Sequence, residues 1–312
     1  MNRKFWGKKR VTVTGGAGFL GSHLVARLKK GGVGDLLVPR AASSDLRLLE
    51  NCMKVCKKKD VVIHLAGLVG GIGFNREHPG RMFYDNIIMG VYMLEAARRC
   101  GVKKFIGIGT ICSYPKFTPV PFKENNLWSG YPEETNAPFG LAKKMLIVGS
   151  EAYRKEYGFN SINLLPVNMY GPGDKWDPRQ SHVIPALIRK ALMAKEKKRN
   201  ELVVWGTGRA TREFLYVEDA AEAIILAGEK YNKSGPCNLG SGKEISIKKL
   251  VELICEIVGY KGKIIFDKTK PDGQPRRCLD TKKAEREFGF KAKTDFHKGL
   301  KKTIEWYKFK VK

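Results

Sequence analysis

The stretch "RVTVTGGAGFLGSHLVARLKKGG", Arg10–Gly32, decides the fold. Its β-branched start predicts a buried strand, and the amphipathic run that follows predicts a helix closed by two glycines. Gly15, Gly18 and Gly21 lie between them. In this context the first glycine permits a tight turn, the second lets backbone approach a pyrophosphate, and the third lets the helix pack close to the strand. A mere tight turn is the alternative, but the context favours a dinucleotide-phosphate site at the helix start.

Strands and helices alternate after this unit. Strands are predicted at "DLLVPR", "DVVIHLAG", "KKFIGIGT" and "FNSINLLPVNMYGPG", with helices at "LRLLENCMKVCKKK", "DNIIMGVYMLEAARRCG" and "NAPFGLAKKMLIVGSEAYRKEYG". This order predicts an α/β fold with a Rossmann-type, doubly wound parallel sheet. The regularity weakens after about residue 170. We therefore expect a dinucleotide-binding domain at 1–169 and a smaller, mainly substrate-binding lobe at 170–312, with part of about 203–235 returning to the first domain.

Composition narrows the function classes. The 312 residues are 43% hydrophobic and 29% charged, and no apolar run approaches the about 20 residues of a membrane span, so we expect a cytoplasmic protein without a membrane partner. The seven cysteines include no C-x-x-C pair, which argues against a disulfide framework or a metal site. The net charge of +27 raises the possibility of a nucleic-acid partner, but the lysines are spread along the chain without a binding motif. A lysine-rich solvated surface that attracts small anions is favoured.

The end of the second strand indicates which dinucleotide binds. An acidic residue there would hold the ribose hydroxyls of NAD, whereas this strand ends in "VPR" with Arg40. An arginine at that place accommodates a 2′-phosphate, so NADP is favoured over NAD. The alternative for Arg40 is a plain surface residue. Asp45 either touches the adenine or caps the next helix.

A second constellation lies in the middle of the chain. In "NAPFGLAKK", Phe139 and Lys143 are four residues apart and share one helix face. The strand before that helix ends in "IGTICSYPK", which places Thr110 and Cys112 at the carboxyl edge of the sheet. Doubly wound folds bind ligands at that edge.

With these motifs the chain resembles the extended short-chain dehydrogenase/reductase family. That family combines the glycine pattern, a Ser or Thr after the central strand and Tyr-x-x-x-Lys. Among its members, the chain looks most like the epimerase-reductases that convert GDP-4-keto-6-deoxy-D-mannose to GDP-L-fucose with NADPH. The stretches that carry this resemblance are "HLAGLVGGI", "CSYPK", "PVNMYGPGD", "SHVIPALIRK", "VVWGTGRATREF" and "KPDGQPRR".

The resemblance implies roles for individual residues. Cys112 and His182 would be base and acid in epimerisation at sugar positions 3 and 5, and Thr110, Phe139 and Lys143 occupy the positions that reduce the 4-keto group. The implied substrate contacts are Asn86, Asn168, Lys190, Trp205, Arg212 and Asp272. The implied cofactor contacts are Gly15, Gly18, Phe19, Leu20, Gly21, Arg40, Asp45, Leu65, Ala66, Lys143, Pro166, Asn168 and His182.

Three positions depart from the family pattern. Thr110 replaces serine and keeps the hydroxyl, whereas Lys190 replaces arginine and loses the bidentate fork. Phe139 replaces the catalytic tyrosine and has no proton to give. Phe139 has three explanations: an engineered substitution that traps a ligand, a natural enzyme that epimerises without efficient reduction, or another donor such as Tyr114, Tyr131 or water.

The resemblance also implies a homodimer packed through the helices that start near Asp85 and Asn136. Two other functions stay open at this point. One is an epimerase or reductase acting on a different GDP-hexose or GDP-heptose. The other is a protein that binds NADP or a nucleotide sugar without catalysis.

Overall fold

The fold is a parallel sheet between helical layers, joined to a smaller second region. The computed structural model describes residues 1–177, 181–270 and 272–311. Its strands are β1 Arg10–Thr14, β2 Asp35–Leu37, β3 Val61–His64, β4 Lys104–Ile108, β5 Ser161–Pro166, β6 Asn168–Tyr170, β7 Glu201–Trp205, β8 Thr211–Tyr216, β9 Pro236–Leu239, β10 Glu244–Ser246 and β11 Lys263–Asp267. Its α-helices are α1 Arg3–Trp6, α2 Phe19–Lys30, α3 Leu49–Cys56, α4 Ile72–Glu77, α5 Pro79–Arg99, α6 Ala137–Tyr157, α7 Val183–Glu196, α8 Val217–Lys230, α9 Ile247–Val258, α10 Lys282–Phe288 and α11 Phe296–Val311.

The main sheet has the order β2-β1-β3-β4-β5-β9, and every pairing in it is parallel. This confirms the predicted doubly wound sheet. The chain runs from β1 to β2 on one side and then crosses to β3 on the other side of β1. The direction in which strands are added to the sheet therefore reverses at β1. The loops after β1 and β3 therefore open a crevice at the carboxyl edge, where such folds bind ligands.

Alternating strand residues supply the two cores on either face of this sheet. Val11, Val13 and Ile63 belong to the cluster packed against α2 and α8. Val62 and Phe105 belong to the cluster packed against α3, α5 and α6. Successive side chains of a strand point to opposite faces, so a strand buried on both sides reads as a continuous apolar run.

The second region is built from two small sheets, β10-β8-β6 and β11-β7, with α7, α9 and α11 packed around its own apolar cluster. The segment Val217–Leu239, which holds α8 and β9, returns to the main sheet. Within the described residues, no helix combines the length and the apolar content needed to cross a membrane.

Three local predictions were wrong. The single strand expected at "FNSINLLPVNMYGPG" is broken at Val167, since β5 pairs with β4 and β9 whereas β6 pairs with β8. The second strand ends at Leu37, so Arg40 lies in the loop beyond it. The helix expected to start near Leu46 starts at Leu49.

Candidate active site

The glycine turn is packed too closely against neighbouring backbone to hold side chains at Gly15 and Gly21. Gly15 has φ +66°, and a Cβ there would lie 2.7 Å from the Ala66 nitrogen. A Cβ on Gly21 would lie 2.1 Å from the Gly15 oxygen. Gly18 is the N-cap of α2 and brings no side-chain acceptor to the helix start. Phe19 and Leu20 open the helix, whose first N–H groups and dipole favour an anion at this point.

The loop after β2 holds Arg40 and Asp45. The Arg40 side chain is exposed beside the crevice, and its backbone oxygen accepts hydrogen bonds from Ser43 and Ser44. The Asp45 carboxylate lies 2.7 Å from Arg47, which lowers the pKa of that carboxyl to about 2. The N-cap of α3 is Leu48, without a side-chain hydrogen bond, so the capping alternative for Asp45 was wrong.

Lys143 is a buried ammonium facing the loop after β3. It is 6% exposed, and its Nζ donates to the Ala66 oxygen over 3.4 Å. Burial lowers the pKa of Lys143 to about 8. Next to it the Asn86 amide accepts a hydrogen bond from the Leu68 N–H and donates one to the Leu68 oxygen. Asn86 therefore fixes the loop that faces Lys143.

The turn after β4 brings Thr110 and Cys112 against α6. Thr110 Oγ1 accepts the Cys112 N–H, and Ser113 Oγ donates to the Gly140 oxygen at 2.8 Å. A Cβ on Gly140 would lie 2.3 Å from the Cys112 oxygen, so the helix and the turn are in close contact. The half-buried Phe139 precedes Gly140 on this helix.

Two tyrosines were named as replacement proton donors. Tyr114 is buried, its hydroxyl donates to Asn238 Oδ1 at 2.7 Å, and burial raises its pKa. Tyr131 is 62% exposed on the surface. Tyr114 is thus already bonded inside the protein, and Tyr131 faces solvent.

His182 and Asn168 border the cleft from the second region. His182 is the N-cap of α7 and is an exposed residue. The protein packed around the imidazole and the charge of Lys175 lower its pKa. Asn168 begins β6, and its amide donates to the Glu213 oxygen at 3.4 Å. Pro166 ends β5 and pairs with Leu239.

Within the described residues, the hydrogen-bond partners of the Arg212 guanidinium are all backbone carbonyl oxygens. Its Nη1 donates to the oxygens of Thr211 and Gln274 at 2.7 Å each, and its Nη2 donates to the Asp272 oxygen. Burial and the charge of Arg277 lower the pKa of Arg212 to about 10. Carbonyl oxygens orient a guanidinium without neutralising it, so this group suits an anionic ligand.

Trp205 and Lys190 form the rim beside Arg212. Trp205 is 65% exposed, and Lys190 Nζ lies 5.6 Å from its ring centroid. Burial and Arg189 lower the pKa of Lys190. The Asp272 carboxylate accepts bonds from the Thr207 N–H and hydroxyl at 2.7 Å each. Asp272 therefore orders the turn that follows Trp205.

Sequence reasoning missed Arg277, whose Nη2 donates to Cys112 Sγ at 3.5 Å. It also missed Asp174, a buried carboxyl whose pKa burial raises to about 7. Both belong to the stretches "KPDGQPRR" and "PVNMYGPGD", which carried the resemblance without pointing to either residue. No group of three potential metal-binding side chains occurs in residues 1–177, 181–270 and 272–311.

A parallel sheet with a glycine turn at a helix start, and a buried lysine beside it, defines a nucleotide-binding enzyme of the Rossmann class. The chain belongs to the NAD dependent epimerase/dehydratase family, whose model matches residues 11–240.

Three members of known name are similar to this chain over nearly its whole length. The chain is 40% identical over 301 residues to probable GDP-L-fucose synthase 1 of Oryza sativa subsp. japonica, covering 96% of this chain and 92% of that protein. A GDP-6-OMe-4-keto-L-xylo-heptose reductase from C. jejuni superposes with a TM-score of 0.91 at 26% identity, covering 99% of both chains. A GDP-L-fucose synthetase from Naegleria fowleri bound to NADP gives a TM-score of 0.86 at 27% identity, covering 97% and 95% of the two chains.

Proposed function

We propose that this chain is an NADP-binding enzyme that epimerises GDP-4-keto-6-deoxy-D-mannose at positions 3 and 5, and that Phe139 impairs the subsequent 4-keto reduction. The observation that carries the proposal is the contact of α6 with the Thr110–Cys112 turn. It seats Phe139 and Lys143 on one helix beside a hydroxyl and a thiol. The resemblance to GDP-L-fucose synthases over nearly the whole chain supports the substrate class.

The residues present fit the dinucleotide. A Cβ at Gly15 or Gly21 would collide with the backbone of the turn that opens α2, and within the described residues Lys143 is a buried cation with one long hydrogen bond. Arg40, exposed beyond β2, supports the 2′-phosphate form. When bound, the cofactor supplies hydride for the 4-keto carbon.

Epimerisation depends on this chain's own side chains. A proton beside a ketone is acidic because the resulting charge spreads onto the oxygen. A thiolate and an imidazole suit its removal and return. We assign these roles to Cys112 and His182. Arg212 and Lys190 hold the diphosphate, and Asn86 holds the loop beside Lys143.

Reduction needs a proton at the ketone oxygen as well as a hydride. A phenyl ring at position 139 cannot give one, Tyr114 is bonded to Asn238, and Tyr131 faces solvent. This favours slow reduction over replacement by another tyrosine. An engineered substitution and a natural reduction-deficient enzyme agree equally with the site.

The test is incubation of the purified chain with GDP-4-keto-6-deoxymannose and NADPH in heavy water. Mass spectrometry follows deuterium in the sugar and the reduced product together. We expect deuterium at the carbons beside the ketone with little reduction. Rapid reduction would contradict the role given to Phe139, and a complete lack of deuterium uptake would contradict the epimerase.

A second substrate is favoured by one observation. The heptose reductase superposes over 99% of both chains, so a keto-heptose linked to GDP fits the same architecture. Running the heavy-water assay with both sugars separates the two. A chain that binds NADP and either sugar without deuterium uptake or reduction would be a binding protein.

We also propose that two copies pack through α5 and α6. These helices pack against each other and leave a row of large apolar side chains exposed: Phe83, Tyr84, Val91, Met145 and Val148. Exposed apolar patches of this kind mark protein contacts. Light scattering should give twice the chain mass, and replacing Val91 and Val148 by Glu should give the monomer. A monomeric unmodified chain would contradict the proposal.

A further inference from the structure

Arg277 is a cation directed at the sulfur of Cys112, although 165 residues separate the two in sequence. Its Nη2 donates to Sγ at 3.5 Å. Across residues 1–177, 181–270 and 272–311 this is the one hydrogen bond of its side chain, and no carboxylate forms a salt bridge with it. Its Nε is buried and has no hydrogen-bond partner among the described residues. The positive charge of Arg277 is therefore free to act on the sulfur.

The backbone around Arg277 is held on both sides, so this contact is built into the fold. The Glu213 N–H donates to the Arg277 oxygen at 3.1 Å, and the Phe122 N–H donates to the Cys278 oxygen at 2.8 Å. The carboxylate of Glu213, a fully buried residue, accepts the Leu279 N–H at 2.7 Å. Because the backbone is already fixed, contact with the sulfur costs only the rotamer freedom of the Arg277 side chain.

We propose that Arg277 is a positioning residue for epimerisation, which holds the Cys112 sulfur and stabilises its negative charge before proton transfer. The inference rests on the proposed function, because it takes Cys112 as the base. In the step itself, the sulfur anion takes a proton from the carbon beside the ketone. The S–H bond forms, the C–H bond breaks, and its electron pair becomes the enolate. Arg277 stays protonated throughout.

A neighbouring guanidinium stabilises a negative charge on the sulfur and also weakens the sulfur anion as a nucleophile or base. The stabilisation acts in full when the anion forms, so it is the larger effect. The loss in intrinsic reactivity follows a Brønsted slope of only about 0.4–0.5. The net effect of Arg277 is therefore faster reaction at Cys112.

Alkylation tests the contact without any substrate. Iodoacetamide is added at neutral pH, and peptide mass spectrometry measures the rates at Cys112 and at the half-buried Cys100, which is the internal reference. Since hydrogen bonds to charged groups are the strong class, Arg277→Met should slow alkylation of Cys112 by about 10-fold and leave Cys100 unchanged. Arg277→Lys, which keeps the charge, should recover most of the rate. Arg276→Met is the matched control, because Arg276 pairs with Glu244 instead.

Deuterium uptake into the keto sugar tests the catalytic consequence. Arg277→Met should lower kcat for exchange by about 10-fold with little change in KM, with partial recovery in Arg277→Lys. Should Arg277→Met not fold, Arg277→Gln replaces it with the same expectation.

Equal alkylation rates at Cys112 in the unmodified chain and the neutral variant would overturn the inference. A raised KM with unchanged kcat would also overturn it, since Arg277 would then bind the diphosphate. If the unmodified chain exchanges no deuterium, the proposed function fails. The alkylation rates still decide whether Arg277 acts on the sulfur.

Discussion

Two buried lysines at opposite edges of the main sheet have very different surroundings. Lys104 begins β4 and is 5% exposed, and Lys143 lies on α6 and is 6% exposed. Desolvation lowers the pKa of each to about 8. Lys104 Nζ donates to the oxygens of Ala227, Gly228 and Tyr231 at 2.7–3.1 Å and to Asn232 Oδ1 at 3.0 Å. Among the residues that the structure describes, Lys143 Nζ has one hydrogen bond, of 3.4 Å, to the Ala66 oxygen.

The difference separates a structural cation from a functional one. The carbonyls around Lys104 lie at the end of α8, where a helix offers few N–H partners to its last oxygens, and a cation there also meets the negative end of the helix dipole. Lys143 ends in a cleft with most of its hydrogen-bonding capacity unused. A buried cation left in that condition is stabilised when a ligand arrives.

The largest effect should be on the rate of reduction when a tyrosine hydroxyl is restored at position 139, one helical turn from Lys143. We expect Phe139→Tyr to raise NADPH-dependent reduction of the keto sugar by about 10²–10⁴-fold, the usual contribution of general acid catalysis. Absorbance of NADPH measures it. Lys143→Met added to Phe139→Tyr should remove the gain. An unchanged rate in Phe139→Tyr would mean that the missing hydroxyl is not what limits reduction.

The same substitution at the two lysines should have opposite effects on stability. Lys104→Met removes the ammonium that donates to four oxygens, so we expect a loss of about 2–4 kcal/mol in the free energy of unfolding. Lys143→Met removes a poorly bonded buried charge and should leave stability unchanged or raise it by about 1 kcal/mol. Urea unfolding monitored by circular dichroism measures both. Similar losses in the two variants would contradict the distinction.

The smallest effect should appear in the pH dependence. The pKa of Lys143 is about 8 in the folded chain, against a reference value of 10.5. Between these values Lys143 binds more protons in the unfolded chain than in the folded one, so its contribution to stability rises with pH. As pH rises from about 8 to 10.5, the free energy of unfolding of the unmodified chain should therefore increase relative to that of Lys143→Met. Parallel curves would contradict the lowered pKa.

The sequence predicted what depends on neighbours along the chain. The glycine turn could be recognised because strand, turn and helix are contiguous and each glycine has a local steric reason. The sheet followed from alternating elements. The break at Val167 could not be predicted, because β5 and β6 form one apolar run and differ only in their partners, β4 and β8.

The candidate site shows the same limit. Phe139 and Lys143 could be paired from helical spacing. Arg277 could not be assigned to Cys112, since their contact depends on how the second region packs against the first. Lys104 was read as part of a strand and not as a helix cap, because its partners lie more than 120 residues away.

The break at Val167 also bears on how the cleft opens. Val167 is 2% exposed and its N–H donates to the Leu239 oxygen, so the chain passes between the two regions without slack. The same holds where β8 ends at Tyr216 and α8 begins at Val217. Because both crossings are short and held in place, we expect them to resist hinge motion between the two regions, so that entry of a nucleotide sugar would depend more on the surface loops around the cleft.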